Sequence, residues 1–268
     1  LRLRDGLATL MLVSQTRHEI QVDDARRIAT AGSDYFRTRT HVYVRRSADG
    51  GRTFDHGHEL PYLEFTGGKD LPGGGWYGSV DCLIQLQSGR VLAAFMFMDS
   101  ERSDPGKKVQ HYTGACLLSG DEGRTWKRSK EITVDTPRGV MEMQIVETEP
   151  DRLFCLFRTK GGYLYQTVSE DGGETWNPSV ASPLPAPESM ARMIRLQSGH
   201  LLVVWNNVSS TTQHPRHPLS AAISRDGGRT WSEPKLIADE TATNQLSNHG
   251  MVQLDDGRIL LGISHYRD

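Results

Sequence analysis

Apolar residues in this chain come in short runs broken by polar turns, and five of those breaks look alike. "LRLRDGLATLML", "LIQLQSGRVLAAF", "IVETEPDRLFCLF", "MIRLQSGHLLVVW" and "MVQLDDGRILLGI" each read as strand, tight turn, strand, with Gly or Asp at the turn. Between them a polar octapeptide recurs: "SADGGRTF" from Ser47, "SGDEGRTW" from Ser119, "SEDGGETW" from Ser169 and "SRDGGRTW" from Ser224. The combined unit is a hairpin, a third strand, the octapeptide turn and a fourth strand, over about fifty residues, which is the size of a propeller blade. No amphipathic helical period of any length interrupts this order. The Gly-rich "LEFTGGKDLPGGGWYG" reads as an irregular loop between two units.

The octapeptide has its own logic. Asp49, Asp121, Asp171 and Asp226 are placed to accept backbone N–H groups two residues on, with the following Gly at positive φ. The closing aromatics Phe54, Trp126, Trp176 and Trp231 are expected to pack under the turn and anchor it to its blade. Four copies of one motif cannot share one site, so these aspartates read as turn staples. Five hairpins but four full repeats predict four complete blades plus parts, in one propeller domain over residues 1–268 that is incomplete at both ends. Such a chain is a fragment of a longer protein or closes its ring with a partner, because terminal blades otherwise expose unpaired edges.

Composition narrows the function. With 31 basic and 33 acidic residues and a net charge of -2, the chain lacks the basic excess of a general nucleic-acid binder. No apolar stretch approaches the roughly 20 residues of a membrane span, and "LATLMLV" is too short for a signal peptide. Cys82, Cys116 and Cys155 are scattered through strand-like runs and read as small buried hydrophobes. His214, His217, His249 and His265 match no zinc spacing, so no metal or other cofactor is expected. Trp76, Tyr77, Tyr163 and Trp205 suit either sugar stacking or blade packing. Asn206, ending the run "VVWN", suits hydrogen bonding to a sugar hydroxyl, and "NVS" at Asn207 forms a glycosylation triplet.

One unlike pair breaks the repeat. If "GVMEMQIVETEPDRLFCLFR" is a hairpin, Glu142 and Arg158 face each other at its open end. The corresponding places in the other hairpins hold Val80, Met190 and Asn248 for Glu142, and Met96, Asn206 and Ser264 for Arg158. A charged pair present in one unit only marks a site and not a staple.

The recurring S-x-D-x-G-x-T-aromatic octapeptide is the Asp-box, or BNR repeat, and over essentially the whole chain the sequence resembles the sialidase (neuraminidase) superfamily. That resemblance implies an all-β, six-bladed β-propeller with its Asp-boxes on the rim away from the active site. It further implies three arginines that bind the sugar carboxylate, an Asp that protonates the leaving oxygen, and a Tyr nucleophile activated by a Glu. "MEMQIVE" followed by "LFRT" resembles the family's Glu motif and second arginine, which carries these roles to Glu142, Gln144 and Arg158. "HPRHPLSAAISRDGGRTW" resembles the context of the third arginine, at Arg216. Asp34 stands in the place of the acid, with Asp23 and Asp24 as competitors. The first arginine would precede Leu1. The Tyr should open the last hairpin, but in "NQLSNHGMVQLDDG" Leu246 or a neighbour stands there, with Asn248 and His249 as the nearest polar groups. The implied partner is an acidic glycan, and the implied location is secreted or periplasmic. Three readings stand: an exo-hydrolase of terminal acidic sugars with Glu142 or His249 as base, a glycan-binding propeller without catalysis, and a propeller lyase acting on uronates.

Overall fold

A computed structural model describes residues 1–3, 9–19, 37–60, 80–99, 102, 110–239 and 245–266. They form five antiparallel sheets in which each strand pairs with its neighbour in the chain. The first sheet holds β1 (Thr9–Glu19), β2 (Arg37–Ser47) and β3 (His58–Leu60). The second holds β4 (Val80–Gln85), β5 (Val91–Met98), β6 (Tyr112–Ser119) and β7 (Lys127–Arg128). Next come β8 (Met141–Glu149), β9 (Arg152–Arg158), β10 (Tyr163–Ser169) and β11 (Val180–Pro185). The fourth sheet is β12 (Arg192–Arg195), β13 (Leu201–Asn206), β14 (Leu219–Ser224) and β15 (Lys235–Ala238). The fifth is the pair β16 (Gln245–Gln253) and β17 (Ile259–Tyr266). Three sheets thus carry the full four strands. In the first, the described residues show three strands and, ahead of them, a bridge at Arg2 beside a buried Leu3.

The strands β4, β8, β12 and β16 lie side by side, so these four sheets present their first strands to a common axis. This is the β-propeller arrangement of the sialidase type. An axial cavity of about 630 Å³ is lined by the inner strands, including Cys82, Gln85, Gln144, Glu147, Arg192 and Arg195. The core is therefore divided into slabs between blades. One slab joins Leu92, Cys116 and Leu118 to Ile145, Cys155 and Phe157, and the next joins Phe154 and Leu156 to Met193, Val203 and Trp205. This explains why β5 and β6 are buried at every position: a middle strand covered on both faces has no polar face to alternate with.

All four boxes share one hydrogen-bond scheme, with a longer reach than two residues. In the first, Asp49 Oδ1 accepts Arg52 N–H at 3.0 Å and Thr53 N–H at 2.9 Å, three and four residues on. Ser169 Oγ donates to Asp171 Oδ1 at 2.8 Å and accepts Gly173 N–H at 2.9 Å, while Thr175 Oγ1 donates to Asp171 Oδ2 at 2.5 Å. Hydrogen bonds to the carboxylate form hold these groups below the usual carboxylate range. At Asp226, with the Thr230 hydroxyl the leading cause, the value is about 2. Each box sits at the hairpin-turn end of the ring: Gly172 N–H donates to Asp151 O at 2.7 Å. The box aromatics also reach further than expected. Trp126, Trp176 and Trp231 pack into the slab shared with the preceding blade.

Candidate active site

The other end of the axis is built on the segment entering β8. Tyr112 N–H donates to Arg138 O, and Val140 N–H donates to Tyr112 O, both at 2.9 Å. Between them Gly139 has φ 70°, and a Cβ there would lie 2.0 Å from Tyr112 O. Only glycine lets the two backbones meet this closely. Strand β8 then starts with Met141 opposite Arg158, one residue off the pairing expected for Glu142. A bulge between Met141 and Gln144 corrects this, and Glu142 takes φ 49°, rare for a residue with a side chain. The distortion brings Glu142 Oε2 to 2.9 Å from Arg158 Nη1.

Arg158 uses its second terminal nitrogen on the segment between β11 and β12: Nη2 lies 3.5 Å from Glu188 Oε1. The same oxygen lies 2.5 Å from Arg138 Nη1. The Arg138 guanidinium stands over the Tyr112 ring, 5.4 Å from its centroid, and Nη2 donates to Gln110 Oε1 at 3.3 Å. The Tyr112 hydroxyl donates to that oxygen at 3.1 Å. Burial raises the Tyr112 phenol above its ordinary value, opposed by the charge of Arg138.

Arg216 arrives from the connection between β13 and β14. Its Nη1 donates to Gln245 Oε1 at 3.1 Å and to Ser247 Oγ at 3.3 Å, and its Nη2 to Glu188 O at 3.5 Å. Burial lowers its pKa, the like charge of Arg158 lowers it further, and Glu142 and Glu188 oppose both effects. An arginine so placed still remains a cation. Two guanidinium groups from different parts of the chain thus converge on Glu188, beside the Glu142 carboxylate. Planar forks of this kind take carboxylates bidentately.

The structure brings Glu142, Arg158 and Arg216 together, and of the other sequence candidates it places Asn206, Gln144 and His249. Asn206 is fully buried. Its Nδ2 donates to Arg216 O at 2.8 Å and Leu246 O at 2.9 Å, and its Oδ1 accepts Ser189 Oγ–H at 2.8 Å. These bonds support the Arg216 segment and engage both ends of the amide. Gln144, 2 % exposed, donates to Met143 O at 3.1 Å and lines the axial cavity. His249 is buried, with Nε2 2.9 Å from Val204 O, so that nitrogen carries the proton and Nδ1 is a bare acceptor without a hydrogen-bond partner among the described residues. Desolvation lowers its pKa from the usual 6.5, against the pull of the Val204 carbonyl. Asp34, with Asp23, Asp24, Trp76 and Tyr77, lies outside the described residues. Trp205 is buried and donates to Pro185 O at 2.9 Å, a packing role, whereas Tyr163 is 41 % exposed.

Sequence reading did not single out Glu188, Arg138, Tyr112 or Gln245. A faint signal existed for Glu188, because the repeat places Met190 level with Glu142, two residues away. Gln245 opens the last hairpin, where the resemblance expects the tyrosine.

Asp-boxes at one rim and paired arginines beside a glutamate at the opposite end of the axis define a sialidase-like Asp-box propeller. Residues 28–265 match the BNR repeat-like domain, and the chain belongs to that family. A sialidase of Micromonospora viridifaciens is 25% identical over 214 residues, which cover 74% of this chain. The chain spans only 30% of that relative's length. Among solved structures, a protein of unknown function from Dyadobacter fermentans superposes with a TM-score of 0.72 at 21% identity, covering 100% of this chain and 71% of that one. The NanB sialidase of Streptococcus pneumoniae gives 0.66 at 16% identity, over 96% and 39%. The intramolecular trans-sialidase of Ruminococcus gnavus gives 0.60 at 18% identity, over 98% and 55%. These structural likenesses concern the fold.

Proposed function

We propose that this chain carries the substrate-binding end of a glycoside hydrolase that releases a terminal acidic sugar, sialic acid being the first choice. The observation that supports it is the convergence of Arg158 and Arg216 on one residue, beside a glutamate that a backbone bulge turns toward them. The two arginines grip the sugar carboxylate. Glu142 accepts a proton from water as the water oxygen bonds to the anomeric carbon. The glycosidic bond breaks, and its oxygen takes a proton from a general acid, for which Asp34 is the candidate by position. Direct attack by water suits a site whose last hairpin opens with Gln245.

The same glutamine favours a second reading, a propeller that binds acidic glycans without turnover. Its side chain already accepts a hydrogen bond from Arg216, where a nucleophile would act. Incubation with sialosides and with uronate-containing glycans separates the readings. Free acidic sugar supports the hydrolase, and saturable binding without release supports the binding protein. An ultraviolet-absorbing unsaturated product would replace both with a lyase, and neither binding nor product would remove all three.

A further inference from the structure

Three guanidinium groups at the axial end share one neighbour. Arg138 Nη1 and Arg158 Nη2 meet at a single oxygen, Glu188 Oε1, and Arg216 Nη2 reaches the main-chain oxygen of the same residue. The Glu188 side chain is 2% exposed, against 22% for Glu142, so the first is enclosed by its partners while the second faces the opening. Its backbone is fixed as well, with Glu188 N–H donating to Thr212 O at 2.8 Å. The next residue continues the brace: Ser189 Oγ donates to Asn206, whose amide holds the Arg216 carbonyl.

Three like charges crowded at one end of an axis repel, and long arginine side chains leave such a place unless an anion fixes them. A buried carboxylate in turn persists only when paired. Each side of the arrangement therefore requires the other.

We propose that Glu188 is the positioning residue of the carboxylate site, holding Arg138, Arg158 and Arg216 as one receptor, with Arg138 as a further cationic contact for the ligand. The inference rests on the acidic-sugar reading above. Arg138 stands on the segment laced to Tyr112, and its side chain keeps 24% exposure, so it is partly open to solvent.

The test is calorimetric binding of N-acetylneuraminic acid and of its methyl ester, which keeps the sugar and removes the charge. Wild type should prefer the acid. Glu188→Gln and Arg138→Gln should each weaken acid binding about ten-fold and leave the ester within about two-fold, as expected when a charge-assisted contact is lost. The double variant should be no worse than either single, because the two residues act as one unit. Arg138→Gln alters a partly exposed side chain and keeps the experiment decisive should Glu188→Gln not fold. If wild type prefers the acid while the variants retain that preference, or if the losses add, the role of Glu188 is refuted and the acidic-sugar reading survives. If wild type binds neither compound, or both equally, that reading falls and the inference with it.

Discussion

Arg158 and Asn206 occupy the same place in successive blades, and their side chains are engaged differently. Arg158 points its fork at two carboxylates near the opening, whereas Asn206 spends both ends of its amide on the chain that carries Arg216. Asn206→Ala should cost about 2–3 kcal/mol, since three buried hydrogen-bonding groups lose their partner. It should also weaken acidic-ligand binding more than neutral, which thermal unfolding and parallel titrations would check. Glu142→Ala should abolish turnover with an unfolding midpoint close to wild type, because that side chain is partly exposed at the mouth. Arg158→Ala should abolish it too, with a lower midpoint, because the buried Glu188 loses one partner. Retained specific activity in either variant would make the pair structural. Glu142 and Arg158 were legible in the sequence because the corresponding places in the three hairpins compared with theirs hold no such unlike pair. Glu188 was not, because its meaning depends on arginines that are fifty and thirty residues away in sequence.

At the scale of an element, the Asp-box is a turn closed by a carboxylate that must stay ionised. Asp226 is held at about 2, below its ordinary 3.8, first by the Thr230 hydroxyl. A folded-state value below the unfolded one contributes stability above about pH 3.8, and that contribution is lost as pH falls through the folded value. Asp226→Asn should therefore lower the unfolding midpoint at pH 7, and the gap from wild type should narrow steadily between pH 4 and pH 2. A gap independent of pH would show that charge has no part in the turn. The strand and turn order was readable because Ser, Asp, Gly and Thr recur at fixed spacing. The bulge at Glu142 was not, since nothing in "VMEMQ" announces an extra residue; it follows from the neighbouring Gly139, which locks the strand entry to Tyr112.

Across the whole molecule, stability resides in the slabs between blades. Trp231 leaves its own turn to pack with Phe154 of the blade before, at 6.4 Å between ring centroids, and a Cβ on neighbouring Gly228 would lie 2.7 Å from that same ring. Trp231→Ala should cost about 3 kcal/mol, measured by denaturant unfolding. A negligible cost would mean that the blades cohere without it. Acid sensitivity also has a global source. Desolvation is the leading cause holding His249 and His111 below the usual 6.5, so the unfolded chain takes up protons first as pH falls. Stability should be full above about pH 6.5 and decline below it until the folded values are reached. His249→Gln should flatten that decline between pH 7 and pH 5 in urea titrations. The sequence showed the blades but not how they grip, because each tryptophan sits beside its own turn in the chain and contacts a different blade in space.

A box tryptophan seated in the preceding sheet means that the repeat counted along the chain is not the unit that could be transplanted. A graft cut at the octapeptide boundaries would bring its indole along and leave the matching socket behind, so blade exchange between propellers of this kind must move sockets and indoles as matched pairs.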